Sequence, residues 1–68
     1  MTPAQFRAAL DRLGLSQVGA AKLFGYSDGR VVRRYISGER AVPAPLAILL
    51  RLMIAGKISA ADVEAARG

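Results

Sequence analysis

The sequence contains no histidine, no cysteine and no tryptophan among its 68 residues. Without an imidazole or a thiol, the chain has no side-chain base that titrates near neutral pH, no thiolate nucleophile and no soft metal ligand. Zinc sites, serine–histidine or cysteine–histidine catalysis and disulfide bonds are thereby excluded. The carboxylates are spread over several predicted elements, and no two have the spacing of a shared acid–base site. We therefore expect no enzyme, and neither a metal, a cofactor nor a small-molecule ligand.

Acidic residues are also scarce. Five Asp and Glu stand against ten Lys and Arg, which gives a net charge of +5 and a pI of about 10.8. This balance indicates a polyanionic partner, either nucleic acid or an anionic membrane surface. A membrane-surface helix is disfavoured because the basic face and the most apolar helix lie in different segments. The densest apolar stretch, 46–55, is too short to span a bilayer and no signal peptide is evident, so we expect a cytoplasmic protein.

Strand patterns are nearly absent, because alternation of apolar and polar residues never extends beyond a few positions. An apolar content of 53% argues against disorder. Glycine and proline divide the chain into five segments with helical signals, at 3–13, 16–24, 28–37, 45–55 and 59–66. The prediction is an all-α fold, a compact five-helix domain that covers residues 1–68.

The ends of the predicted helices carry capping residues. Thr2 and Gln5 have the spacing of a capping box at the start of the first helix, and Ser59 and Asp62 have the same spacing before the fifth. Gly14 suits the left-handed residue that ends the first helix.

The second and third helices meet at a short turn. Ala20, Ala21 and Phe24 are placed to pack the second helix against the third, and Ala21 is small enough to let the two backbones approach closely. Gly25 can supply the positive φ that a tight turn requires. These features predict a helix-turn-helix over 16–37.

The third helix has two different faces. At about 100° per residue, its apolar side chains cluster on one side and its arginines on the other. The apolar side comprises Val31, Val32, Tyr35 and Ile36, and the basic side comprises Arg30, Arg33, Arg34 and Ser37. A guanidinium can contact guanine or a phosphate with two hydrogen bonds, so the basic side suits the DNA major groove. The alternative is that these arginines only solvate an exposed face.

Several groups of residues match a known pattern: Leu15-Ser16-Gln17, Ala20-Ala21, Leu23-Phe24-Gly25, Val32, Arg34-Tyr35 and Gly38-Glu39-Arg40-Ala41-Val42-Pro43. In these residues the chain resembles the Cro and phage-repressor helix-turn-helix family, over about 3–56. The resemblance implies a lambda-repressor-like five-helix domain that binds operator DNA. The arrangement Ser27-Asp28, Arg33-Arg34-Tyr35 and Ser37 also resembles the small autoregulators called anti-CRISPR-associated proteins.

The resemblance implies roles for individual residues. Base contacts are expected from the exposed positions of the third helix, namely Asp28, Arg30, Arg33, Arg34 and Ser37. Gln17, which opens the second helix, is expected to contact a phosphate, and the other expected phosphate contacts are Ser16, Lys22, Ser27 and Arg40. Ser27 or Asp28 can alternatively cap the third helix.

One spacing departs from the family pattern. The valine of the third helix usually lies four residues after the serine of the turn, whereas Val32 lies five residues after Ser27, with Gly29 as the extra residue. Either Val31 takes the buried position and the helix is rotated, or the turn is one residue longer. The arginine pair that follows stays outward in both cases.

The fourth helix is apolar on nearly all sides, with Arg51 its only charge. One face can close a core that includes Phe6, Leu10, Phe24 and Val32. The other face is then free for dimerisation together with the fifth helix, and the expected interface residues are Leu50, Ile54 and Val63. The alternative is that the fourth helix is central and wholly enclosed.

These patterns predict a sequence-specific double-stranded DNA-binding transcriptional regulator. We expect a homodimeric, autoregulating repressor that reads the major groove of a palindromic operator with its third helix. The alternative is a protein-interaction module, such as an antitoxin or an adaptor, that uses the fourth and fifth helices at 45–66 and binds DNA only secondarily.

Overall fold

The computed structural model describes residues 1–67 and contains five helices: α1 (Pro3–Leu13), α2 (Gln17–Leu23), α3 (Arg30–Ser37), α4 (Ala44–Ile54) and α5 (Ala60–Arg67). Within the described range the chain forms no strand, and its overall dimensions are 29 × 24 × 20 Å. No helix of this range is long and apolar enough to cross a membrane. The predicted compact all-α fold with five helices is confirmed.

Both predicted capping boxes are present. Thr2 Oγ1 accepts a hydrogen bond from the Gln5 N–H at 3.1 Å, and Gln5 Oε1 accepts one from the Thr2 N–H at 2.8 Å. The Ser59 N–H donates to Asp62 at 2.8 Å, and the Asp62 N–H donates to the Ser59 hydroxyl at 3.2 Å. Gly14 ends α1 with φ of 70°, as expected for a left-handed cap. Side chain to backbone hydrogen bonds therefore set where α1 and α5 begin.

Two helices begin at different residues from those predicted. α3 begins at Arg30, and the residue that precedes it is Gly29 rather than Ser27 or Asp28. Asp28 still contributes, since its Oδ1 accepts from the Arg30 N–H at 2.8 Å. α4 begins at Ala44, one residue before the predicted start. Pro45 is tolerated in this first turn because the N–H that it lacks would have no partner within the helix.

The core lies where α1 meets α3 and α4. Phe6, Val32 and Leu50 are its largest completely buried side chains. Among residues 1–67 no charged side chain is buried, so apolar packing holds these three helices together.

The expected dimer residues do not share one surface. Leu50 was wrongly predicted as an interface residue, because its side chain is 0% exposed inside the core of its own chain. Ile54 is half-buried and lies in a shallow groove with Arg12 and Arg51, between α1 and α4. Val63 lies on α5, in a cleft on another part of the surface.

The outer side of α4 is nevertheless apolar and exposed. Ile48 is 56% exposed and Leu52 is 40% exposed, whereas Leu46, Leu50 and Met53 face the core. α4 is therefore not wholly enclosed. α5 buries none of its described residues, and the helix it contacts most is α2.

Candidate nucleic-acid interface

α2 and α3 pack closely through small residues. Ala20 and Ala21 are buried against the core, and Val32 takes the buried position on α3. Of the two alternatives for this region, the structure therefore has the longer turn, which runs from 24 to 29. Gly25 has φ of 81°, and the Tyr26 N–H donates to the Ala21 carbonyl at 2.8 Å. This hydrogen bond and the left-handed Gly25 shape the turn from which α3 leaves α2.

An aromatic group supports the inner side of α3. The Tyr35 ring is buried and meets the Phe6 ring edge to face, with centroids 5.6 Å apart. The hydroxyls of Tyr26 and Tyr35 are 3.2 Å apart and share a hydrogen bond. Burial, and then the interaction with Tyr35, raise the pKa of Tyr26 to about 12 although the positive charge of Arg40 lowers it. Tyr26 is therefore neutral at physiological pH, and both tyrosines act as packing residues.

The opposite side of α3 is open to solvent. Arg30, Arg33, Arg34 and Ser37 all lie on this side and all are exposed. The Arg30 side chain is 80% exposed. Four of the five residues predicted to make base contacts therefore form one stripe along α3, and we call these four residues the arginine stripe. The fifth, Asp28, lies in the turn before α3.

Two carboxylates flank the arginine stripe. Arg30 Nε is 3.8 Å from Asp28 Oδ2, and Arg34 Nε is 3.9 Å from Glu39 Oε2. Arg33 forms no ion pair with any of residues 1–67. Exposed pairs at such distances are worth about 0–1 kcal/mol each, so an incoming anion can displace either carboxylate at little cost.

The start of α2 lies beside the start of α3. A Cβ placed on Gly29 would be 3.9 Å from the Gln17 carbonyl carbon and 3.8 Å from Val18 Cγ2. Gln17 is exposed, and the Ser16 hydroxyl accepts from the Gly19 N–H at 2.9 Å as the α2 cap. The structure thus places Ser16 and Gln17 close to the end of the arginine stripe that Arg30 occupies.

The remaining expected contacts are more widely spread. Lys22 is exposed in the last turn of α2, at the opposite end from Gln17, and Ser27 is exposed in the turn. Arg40 follows α3, and its N–H donates to the Arg34 carbonyl at 3.2 Å. The Ser37 hydroxyl donates to the same carbonyl at 3.1 Å, so part of its hydrogen-bonding capacity is used within the helix end.

Two residues near the arginine stripe were missed by the sequence reasoning. Val18 is 57% exposed beside Gly29, although valine normally indicates a core position. The signal that Val18 is exposed was its position next to Gln17, at the polar start of α2. Glu39 partners Arg34 across the C-terminal end of α3, and the general pairing of opposite charges at short spacing could have indicated it.

No group of carboxylates within residues 1–67 has the arrangement of a metal site. Comparisons with models of protein families, with curated proteins and with solved structures find no match for this chain. The function therefore has to be argued from the arrangement of its own residues.

Proposed function

We propose that this chain is a sequence-specific double-stranded DNA-binding transcriptional regulator in which α2 and α3 form a lambda-repressor-like helix-turn-helix. The observation that carries the proposal is the arginine stripe, exposed on a helix whose other face is fixed in the core by Val32 and Tyr35. A rigid helix with outward guanidinium groups fits the major groove, where arginine recognises guanine through two hydrogen bonds.

The contacts divide into two kinds. Arg33 and Arg34, in the middle of the arginine stripe, would read base edges, and Arg30 and Ser37 lie at its two ends. Gln17 and Arg40, which lie at the start of α2 and after the end of α3, would hold phosphates and so fix the orientation of α3. Val18 would supply an apolar contact to a thymine methyl group near Arg30. Asp28 acts chiefly as a cap, because its carboxylate already accepts the Arg30 N–H.

The regulator would act as a homodimer on an inverted repeat, as an autoregulating repressor in the cytoplasm. Helix-turn-helix dimers meet two half-sites about 34 Å apart, and each copy of this chain offers one arginine stripe.

A second candidate function is a protein-interaction module such as an antitoxin or adaptor. The exposed apolar residues Ile48 and Leu52 favour it, because a surface of this kind marks a site of association. It is compatible with DNA binding by α3, which would then be secondary.

The first experiment is the selection of bound sequences from a randomised duplex pool at moderate salt with the full chain. Enrichment of an inverted repeat is expected. Strong binding without enrichment would leave a basic module that reads no sequence. No binding at all would overturn the proposal in favour of the interaction module.

A further inference from the structure

The shallow groove between α1 and α4 has a volume of about 280 Å³ and a basic lining. Arg12 and Arg51 both line it, and the other side chains that line it are apolar or uncharged. Neither arginine forms an ion pair with any of residues 1–67. The groove therefore carries two positive charges that the described part of the chain does not neutralise.

The two arginines come from different helices. Arg12 lies in the last turn of α1 and Arg51 in the last turn of α4, where a cation stabilises the partial negative charge of the helix end. That effect explains one cation on each helix, but it does not require both to line one groove. Like charges in one groove repel each other, and an anion bound between them relieves the repulsion. A carboxylate suits this position, because arginine binds it through two parallel hydrogen bonds.

Apolar side chains lie beside the arginines. Ile54 is half-buried in the groove, and the short side chains of Ala8 and Ala9 leave the space between α1 and α4 open. An inorganic phosphate or the phosphates of a nucleic acid would satisfy the arginines but would leave Ile54 in water. A peptide segment that carries both carboxylates and apolar side chains would cover both parts of the groove.

The size of the groove also indicates its occupant. Pockets for small molecules usually measure about 300–1,000 Å³ and enclose most of the ligand surface. This groove lies below that range and is shallow, so a small molecule would stay largely in water. A second copy of this chain, with a net charge of +5, offers poor charge complementarity to a basic groove. An acidic segment of another protein fits both the size and the charge.

The groove and the arginine stripe lie on different sides of α1. At about 100° per residue, Ala8 and Arg12 fall at one edge of the buried side of α1, and Arg7 and Asp11 fall at the other edge. Arg7 and Asp11 line a second, smaller groove together with Gln17, which lies close to the arginine stripe. Since α1 separates the two grooves, a segment bound between α1 and α4 leaves the arginine stripe uncovered.

We propose that the groove between α1 and α4 docks an acidic segment of another protein. One carboxylate of this segment binds between Arg12 and Arg51, and a neighbouring apolar side chain packs on Ile54. The inference goes beyond the proposed function and holds whether or not α3 binds DNA. If α3 does bind DNA, the chain can hold a duplex and a second protein at the same time, because the two surfaces do not overlap.

The test begins with a displayed pool of short peptides, randomised among Asp, Glu, Leu, Phe and Ser, that is selected on the immobilised full chain. The double variant with Arg12→Ala and Arg51→Ala serves for counter-selection. We expect enrichment of peptides that contain both acidic and apolar residues. When the most enriched peptide is titrated into the wild type, the backbone amide chemical shifts should change most along the groove, at 5–12 and 51–54.

Single substitutions then test each arginine. Arg12→Ala and Arg51→Ala should each weaken binding of the enriched peptide about fivefold or more, because each removes one side of the carboxylate site. A peptide with Asn and Gln in place of Asp and Glu should bind about tenfold more weakly. Arg7→Ala is the matched control, since it removes the same charge from an exposed position of α1 outside this groove, and it should leave the affinity within about twofold.

Ala8→Glu tests the same site without removing an arginine. Ala8 is exposed and lies four residues before Arg12 on α1, where a glutamate can pair with the arginine and stabilise the helix. This variant should fold as the wild type does, and its own carboxylate should weaken peptide binding about fivefold or more. Ala4→Glu makes the same charge change at an exposed position outside the groove lining and should leave the affinity within about twofold.

Three results would overturn the inference: no peptide enriched over the double variant, largest shift changes on α3 instead of along the groove, or equal losses from Arg7→Ala and Arg12→Ala. A duplex of random sequence that shifts the groove amides as much as those of α3 would show that these arginines hold phosphates, and would overturn it as well. Peptide binding by a chain whose α3 reads no sequence would instead overturn the proposed function alone.

Discussion

The arginines of α3 differ in what holds their side chains. Arg30 and Arg34 lie 3.8 and 3.9 Å from carboxylates, whereas Arg33 has no such partner within the described part of the chain. If α3 reads DNA, Arg33→Ala removes a guanidinium that can bind a base without first displacing a carboxylate. We expect a loss of about 1–3 kcal/mol in binding to the selected site and a relaxed preference at one base pair, both measured by fluorescence anisotropy.

Arg51→Ala is the matched control for Arg33→Ala, because it removes the same charge from α4. It is expected to weaken binding to all duplexes equally, by less than Arg33→Ala weakens binding to the selected site, and to leave base preference unchanged. Equal losses from the two variants on selected and on random DNA would contradict base reading by Arg33.

Tyr26 gives the chain a dependence on alkaline pH. Its pKa is about 12 in the folded chain, above the ordinary value of 10.0, so the folded state holds this proton more tightly than the unfolded state does. The stability that this group contributes is complete below about pH 10 and is lost as the pH rises from about 10 to about 12. In urea unfolding, the midpoint for the wild type should fall more over this range than that for Tyr26→Phe. Parallel curves for the two proteins would show that the tyrosine pair carries no such linkage.

Single residues were predictable from the sequence only where the local pattern was unambiguous. The outward position of the arginines followed from helical spacing, because the apolar residues of α3 all fall on one side. α4 offered no such contrast, so the pattern could not show that Leu50 is inside and Ile48 outside. That choice depends on which helices pack against α4, which no local pattern contains.

At the level of elements, the two capping boxes should differ in what they stabilise. α1 carries Phe6 and Leu10 into the core, whereas α5 buries no described residue. Thr2→Ala is therefore expected to lower the free energy of global unfolding by about 1 kcal/mol, whereas Ser59→Ala should fray α5 and leave global unfolding nearly unchanged.

Urea unfolding and amide hydrogen exchange, measured at a concentration where the chain is monomeric, distinguish the two effects. Exchange should accelerate only at the start of α5 in Ser59→Ala. A loss of global stability equal to that of Thr2→Ala would show that α5 unfolds together with the core, contrary to the loose contact seen in the structure.

The starts of α1 and α5 were predictable because capping residues act on backbone groups three positions away. The start of α3 was not, because Gly29 lies against Gln17 and Val18, residues of another helix that are far from it in the sequence. The burial of Val32 also required the tertiary structure, since two turn lengths were compatible with the spacing.

For the whole molecule, truncation of an inner residue of α4 and truncation of an outer one should have very different effects on stability. Leu50→Ala opens a cavity among completely buried side chains and should cost about 2–5 kcal/mol, enough to unfold much of so small a domain. Ile48→Ala removes an exposed side chain and should change the stability of the monomer by less than about 0.5 kcal/mol. Thermal unfolding of both variants in dilute solution measures the contrast, and similar losses would contradict the two-sided packing of α4.

The relation between α5 and the remaining helices could not be predicted from the sequence. A capping box and a few apolar residues specify that a helix forms, but they do not specify how deeply it packs. The cleft that Val63 lines exists only once α2, α4 and α5 are placed around it.

The interior of residues 1–67 is almost free of polar groups, and this bears on how the sequence can drift over evolutionary time. Apart from the hydroxyl pair of Tyr26 and Tyr35, no side-chain hydrogen bond has to be preserved there. Apolar residues can therefore replace one another as long as the total volume is kept. The left-handed glycines at 14, 25, 38 and 56 have no such freedom, because other residues are strained in that conformation. Distant descendants of this chain should thus share the positions of their turns long after their interior residues have diverged.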